Sequence, residues 1–317
     1  MKVGRREFLR DASYAAAALA LPSDAFSDQN TRLQSNSSGV PSFGPPYRHS
    51  LQRTFGKYAH DELSWYRLRG GLDFARIKMY NDGTPVDSLA VVRADPEANR
   101  FQVFHDGKNL KNVERWQDAT GADVMFNSSY YGYNMASAYQ ILVDPVALII
   151  IDGKMKGPRV NKAAHGMFVA EPRDDRKPRA KIIDFKKESY DYRKDEWRTG
   201  VQSWPMILDA DGATRFGRSN WYANRTVLCD DRDGNILAIT TEGGFFPLGE
   251  LGRFLRESKL NVKNALNMDG GYEADMTIKM PALHYVSYGQ WETQGKKDIS
   301  VPGARIVLPA VVGIFPR

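Results

Sequence analysis

Beyond residue 54, apolar residues fall in short runs bounded by turn formers. Residues 88–93, 101–105, 122–127, 147–151, 167–170, 180–185, 206–209, 226–230, 236–241 and 305–315 are each rich in Val, Ile, Leu or Phe and predict β-strands. Asp231-Arg232-Asp233-Gly234 separates two of these runs and predicts a hairpin, and Asp209-Ala210-Asp211-Gly212 closes a further turn. These Asp-rich turns lack the remaining ligands of a calcium loop, notably a Glu at its last position, and are read as turn chemistry. Helical spacing appears twice: Leu110, Val113 and Trp116 before Gly121, and Leu248, Leu251, Phe254 and Leu255 after Pro247. The pattern predicts an α+β fold, a single domain with a mixed, mostly antiparallel β core and a few packed helices.

The N-terminal part of the 317-residue chain does not share this pattern. Residues 4–25 read GRREFLRDASYAAAALALPSDA, with Arg5 and Arg6 adjacent, Phe8 and Leu9 following, and an Ala/Leu-rich stretch ending in small residues. This resembles a bacterial twin-arginine export signal covering residues 1–25. The apolar stretch 12–21 is about half of the roughly 20 residues a spanning helix needs, so no stable membrane anchor is expected. Residues 26–53, rich in Ser, Asn, Gln, Gly and Pro, predict a flexible linker. A single domain of about 260 residues then occupies 54–317. The expected location is periplasmic or secreted, with the twin-arginine machinery as a partner.

Cys229 is the only cysteine, so no intramolecular disulfide is possible and stability must come from a core. The formal charge is +6, or +5 without residues 1–25. Much of that excess lies at 173–198, where acids interleave with Lys and Arg; the segment reads as a solvated loop and hairpin, not a nucleic-acid surface. Gly-x-Ser-x-Gly, Walker and His-Glu-x-x-His motifs are absent, and Cys229 within a strand pattern reads as a small buried hydrophobe. His165 and His284 have no convincing partner in sequence and are read as structural.

The strongest candidate chemistry lies in ALNMDGGYEADM, residues 265–276. Ala265, Leu266 and Met268 predict the tail of a buried strand, which puts Asp269 at its end. Gly270 and Gly271 allow positive φ and close backbone approach, and their amides are candidate helpers for an anion. The plain alternative is a β-turn with surface acids. Each predicted helix is followed by an apolar run that ends in a polar centre, first at Asn127-Ser128-Ser129-Tyr130-Tyr131 and then at Asn267-Met268-Asp269-Gly270-Gly271. Strand ends of this kind are where α/β folds place ligand contacts, by analogy. Asp269, Glu273 and Asp275 suggest a metal, but alternating carboxylates on a strand partly face opposite sides. Neither a metal nor a cofactor is assigned.

These centres occur in order with Asn224-Arg225-Thr226, Thr241-Glu242-Gly243-Gly244 and Leu248-Gly249-Glu250-Leu251. The series resembles the phosphodiester glycosidase family over about residues 89–315, nearest its bacterial exopolysaccharide-associated members. Asn127 matches the family's Asn at a strand end, where Ser128-Ser129 replaces the usual Gly-Gly or similar pair. Arg225-Thr226 matches an Arg-Thr entering a strand, and Glu242-Gly243 stands where many members have Asp-Gly. Asp269-Gly270-Gly271 matches an Asp-Gly-Gly commonly followed by Gly and Ser; here Tyr272 and Glu273 follow, the latter an extra carboxylate.

The resemblance implies hydrolysis of the bond between an anomeric carbon and a phosphodiester oxygen, on an N-acetylglucosamine-type or polysaccharide-linked substrate. Phosphate leaves readily, so charge stabilisation matters more than general-acid help. Arg225 is assigned to the departing phosphate because a guanidinium fork matches phosphate oxygens. Asp269 with Glu242 or Glu273 would activate water or stabilise an oxocarbenium-like centre, and their separation would report the stereochemistry. Asn127, Ser128, Tyr130, Thr226, Gly270, Gly271 and Tyr272 are the substrate-binding candidates. Alternatives stand beside these roles: Arg225 in a strand-edge salt bridge, Asn127 as a turn cap, Glu242 as a solvent-facing hairpin acid, and the tyrosines as core. The rival reading of the whole chain is a non-catalytic periplasmic carbohydrate-binding or exopolysaccharide-assembly protein.

Overall fold

Continuous apolar runs become strands buried on both faces, and the alternation along Thr84–Ala94 shows how. Ala90, Val92 and Ala94 enter one hydrophobic cluster while Leu89 and Val91 enter another. The same division separates Leu228 from Val227 and Cys229, Ala238 from Leu237 and Ile239, and Leu266 from Ala265. A strand covered on both sides has no polar face to reveal its period, which is why these segments read as unbroken apolar runs. The computed structural model describes residues 58–137, 140–158, 161, 164–192, 194, 196–216, 221–244, 246–294, 297–300, 303 and 305–317. The expected signal (1–25) and linker (26–53) lie outside the described residues.

The central sheet runs Tyr58–His60, Leu72–Asn81, Thr84–Ala94, Ile236–Thr241, Thr226–Asp231, Val262–Asn267 and Met206–Leu208, with Tyr66–Arg69 paired to Leu72–Asn81. A second sheet holds Lys154–Lys156, Ile149–Ile151, Trp197–Ser203, Gly166–Pro172 and Ala180–Asp184, and a third Leu283–Ser287, Met276–Met280, Val124–Asn127, Ala310–Pro316 and Asn99–His105. Two hairpins, Tyr131–Ser137 with Gln140–Pro145 and Trp291–Gln294 with Lys297–Ser300, stand apart. Every one of these strand pairings is antiparallel, so the expected mixed core is corrected to an antiparallel one. Strands dominate the described residues and two helices pack on them, which agrees with the expected β core with a few packed helices.

Helix α1 (Val113–Thr120) is capped by the Asn112 side chain, which accepts the Arg115 N–H at 2.9 Å, and ends at Gly121 with φ 70°. Its Val113 and Trp116 pack on Met125, Val311 and Phe315 of the third sheet. Helix α2 (Leu248–Glu257) lays Leu248, Leu251, Phe254 and Leu255 over Ile207, Val227 and Ala265 of the central sheet. Each such buried side chain contributes about 1.5–3 kcal/mol of transfer free energy. The Asp-rich turns are closed by their own acids: Asp231 Oδ1 accepts the Asp233 and Asn235 amides, and Asp209 Oδ1 those of Asp211 and Ala213. In the basic segment, Arg176 pairs with Asp174, Lys177 with Glu196, Arg179 with Asp175 and Lys181 with Glu188.

The central and third sheets meet at three strand ends. Asn127 closes one strand, Thr226 opens a second and Asn267 closes a third. Past Asn267, the Met268 amide bonds to Thr226 O at 2.9 Å and the Asp269 amide to Ser128 O at 3.3 Å, which ties the two sheets together beside Asp269.

Candidate active site

The chain leaves the Val262–Asn267 strand through Met268 and Asp269 and turns at Gly270 and Gly271 into a 3-10 turn, Gly271–Glu273. Both glycines are required by space. A Cβ on Gly270 would lie 2.8 Å from Asn224 O, and one on Gly271, where φ is 73°, would lie 2.9 Å from Glu292 Oε2. The turn is therefore pressed against Asn224 on one side and Glu292 on the other. Its amides are spent within the protein: Gly270 N–H donates to Asp269 Oδ1 at 2.9 Å and Gly271 N–H to Asn224 O at 2.8 Å. This corrects the expectation that they face an anion.

Three carboxyl groups share this turn. Burial, reinforced by the Glu292 charge and opposed by the Gly270 amide, pushes Asp269 up to about 7. Burial also drives Glu273 well above the usual carboxylate range, with the charges of Asp269 and Glu292 adding to it and a hydrogen bond from Tyr131 Oη to Oε1 (3.0 Å) opposing it. Burial thus favours the protonated form of Glu273, and the Asp269 value places its proton exchange near neutral pH. Glu292 is itself buried and enters through the bridge Ala223–Glu292. Sequence reading missed it: Trp291-Glu292-Thr293-Gln294 carries no motif, and only the pairing to residue 223 brings it to the turn.

Arg225 supplies the positive charge. It is 8% exposed, and its Nε and Nη2 donate to the carbonyls of Phe246 (3.3 Å) and Trp221 (2.7 Å). Among the described residues it forms no ion pair, which removes the salt-bridge alternative. Burial lowers it to about 10, against the raising influence of Tyr130 and Glu292. A guanidinium desolvated and held by carbonyls keeps its charge uncompensated by a carboxylate in contact, and such a group favours an incoming anion.

The binding candidates divide into framework and lining. Asn127 Oδ1 accepts from Thr226 Oγ1 at 2.6 Å and its Nδ2 donates to Asp269 O at 2.9 Å, so this pair is a cross-link beneath Asp269, with no exposed surface at Thr226. Ser128 is buried, and its Oγ has no hydrogen-bond partner. Tyr130 is half-buried, its ring 4.4 Å from that of Trp204, and its Oη donates to Trp204 O and accepts from Asn267 Nδ2. Burial pushes the Tyr130 hydroxyl up, the charges of Asp269 and Glu292 add to this, and the Arg225 charge opposes it. Tyr272, a substrate-binding candidate, is 3% exposed, and its ring belongs to the interior and not to a binding surface.

Glu242 is not part of this group. Its carboxylate takes a two-point ion pair from Arg76 (Nε to Oε1 2.8 Å, Nη2 to Oε2 2.6 Å) and a hydrogen bond from Tyr285 Oη at 2.7 Å. None of the charges acting on Asp269, Glu273 or Arg225 comes from it. His165 is structural, its Nδ1 accepting from the Met206 amide at 3.4 Å. Among the described residues no group of three or more His, Cys, Asp or Glu side chains is arranged to hold a metal ion. The turn with Arg225 is suited to bind an anionic ester and to exchange one proton near neutrality.

The family described as Phosphodiester glycosidase matches residues 119–307, a span that contains Asn127, Arg225, Asp269, Glu273 and Glu292. No curated protein sequence matches the chain. Among solved structures, the zebrafish N-acetylglucosamine-1-phosphodiester alpha-N-acetylglucosaminidase catalytic domain, auto-inhibited by pro-peptide, is similar with a TM-score of 0.52. It is 14% identical over 82% of this chain and 88% of that one. A hypothetical protein from Synechocystis has a TM-score of 0.51 and 11% identity, over 81% of this chain and 64% of that one. At such identities the likeness is one of fold.

Proposed function

Because this chain belongs to the phosphodiester glycosidase family and is a glycosidase acting on phosphodiesters, we propose that it hydrolyses the glycosidic C–O bond of a sugar-1-phosphodiester after twin-arginine export to the periplasm or the cell exterior. The sugar is of the N-acetylglucosamine type or part of a polysaccharide. No helix among the described residues is long and apolar enough to cross a membrane.

The observation that carries this reading is the buried Asp269 carboxyl in a turn whose Gly270 packs on the side chain of Arg225, a buried guanidinium that forms no ion pair among the described residues. Arg225 receives the phosphodiester and balances the charge that grows on its bridging oxygen. Asp269 in its ionised form takes a proton from water as the water oxygen bonds to the anomeric carbon; the C–O bond breaks and its electron pair leaves with the phosphomonoester. A phosphate leaving group needs little protonation, so one active base suffices.

Signal-free protein is assayed on a panel of sugar-1-phosphodiesters in oxygen-18 water beside Asp269→Asn. The reading expects free sugar carrying the label from the parent and loss of release in the folded variant. Label in the phosphate would identify P–O cleavage instead. Binding that is equal in both proteins, with no release, would identify a carbohydrate-binding protein.

A further inference from the structure

Asn224 touches every element that brings charge to the site. Its backbone carbonyl accepts the Gly271 amide at 2.8 Å, and the next residue is Arg225. Its fully buried side chain spans two elements: Nδ2 donates to Thr241 O at 2.6 Å, at the end of a central strand, and Oδ1 accepts the Gln290 amide at 3.0 Å. Gln290 lies two residues before Glu292, at the entry to a hairpin that pairs with none of the three large sheets. Besides the isolated bridge Ala223–Glu292, a second tether is the Gly289 amide, which bonds to buried Asp275 Oδ1 at 3.0 Å. Gly289 is packed so closely that a Cβ there would lie 2.0 Å from Gly271 O.

We propose that Asn224 is a positioning residue, whose side chain holds the Gln290–Glu292 segment against the central sheet and so fixes the spacing of Glu292 from Asp269 and Arg225. The proposal rests on the function given above. It follows from the placement of one amide between a rigid strand and an element outside the large sheets. The like charge that bears on Asp269 is that of Glu292, and the charge of Asp269 in turn acts on Glu273 and Tyr130. When the Asn224 side chain is lost, the Ala223–Glu292 bridge and the Gly289–Asp275 bond keep the hairpin attached, but the Gln290–Glu292 segment is no longer fixed to the central strand and its distance from Asp269 grows.

The test is a carbon-13 NMR titration of the Asp269 carboxyl, identified by its absence in Asp269→Asn, in the parent, Asn224→Ala, Glu292→Gln and the double variant. Both single variants are expected to titrate lower than the parent by at least about half a pH unit, a shift that a loss of Glu292 repulsion produces. The double variant is expected to match Glu292→Gln, because Asn224 acts through Glu292. In parallel, Asn224→Ala lowers kcat by roughly tenfold to a hundredfold, as a displacement of about 1 Å does, with KM little changed. An unshifted titration and parental kcat in Asn224→Ala, with only a lower melting temperature, would overturn the proposal. If Asn224→Ala does not fold, Asn224→Ser, whose hydroxyl is too short to reach both Thr241 and Gln290, is read by the same outcomes. Failure of the parent to release sugar from any diester would defeat the functional reading alone, since the titrations decide the positioning role without turnover.

Discussion

Glu292 faces Asp269 across the Gly271 turn: its Oε2 lies 2.9 Å from where a Gly271 Cβ would stand, and its charge adds to burial in holding the Asp269 proton near 7. Two acids so placed do not both ionise freely, so burial and this like charge together hold Asp269 in the range where the proposed base would act at neutral pH.

The pH profile follows with a definite sign. A base must be ionised to act, so kcat/KM is expected to rise with pH through an acid limb near the Asp269 value of about 7 and then level off. Glu292→Gln removes a like charge and moves that limb to lower pH. A limb that stays in place in Glu292→Gln, or one that sits near the ordinary carboxylate value of about 4, would remove Asp269 from the role of base.

Stability carries the opposite sign from the usual surface acid. The Asp269 value rises from about 3.9 in the unfolded chain to about 7 in the fold. The folded state therefore binds the extra proton, and stability falls as pH climbs through that window. Asp269→Asn keeps an acceptor for the Gly270 amide and has no proton to lose. Its melting temperature should equal that of the parent below about pH 4 and exceed it by on the order of 5 °C at pH 8. Equal melting curves at both pH values would show that the carboxyl is not held in a proton-retaining environment.

Arg225 tests the anion side. Arg225→Lys retains a charge but cannot satisfy both the Phe246 and Trp221 carbonyls while meeting a phosphate with two nitrogens. The loss in kcat/KM on a sugar-1-phosphodiester is expected to be on the order of 10²-fold, with added guanidinium restoring part of the rate in Arg225→Ala. A variant that loses only thermal stability, with parental kcat/KM, would assign Arg225 to the core.

Much of the fold was legible because burial on both faces writes apolar runs into the sequence, as at 236–241 and 226–230, and because acids close their own turns at Asp209 and Asp231. Leu72–Asn81 escaped because Asp73, Arg76 and Lys78 interrupt its apolar residues: Arg76 turns to Glu242, and Asp73 receives Arg67 and Arg93. Trp197–Ser203 escaped for another reason, since beside Trp197 and Val201 its buried positions are Thr199, Gly200, Gln202 and Ser203. At the site, Asp269 was marked by its place at a strand end, and Arg225 by the family resemblance. Glu292 was not, because the contact that gives it meaning is a pairing with residue 223, and long-range pairing leaves no local signature.

Glu242 shows the limit from the other side, since Asp/Glu-Gly at a strand end looked the same in sequence at 242 and at 269. The difference lies in the partners. Glu242 has Arg76 and Tyr285 within hydrogen-bond distance, so its charge is neutralised and its oxygens are occupied. Among the described residues, the Asp269 carboxylate has one backbone amide and a like charge. Glu242→Gln should therefore lower stability by about 1–3 kcal/mol, through loss of charge-assisted hydrogen bonds to Arg76 and Tyr285, and leave kcat and the pH limb at their parental values. Thermal melts and a pH–rate profile of the same preparation separate the two effects. A shifted limb in Glu242→Gln would return Glu242 to the catalytic group.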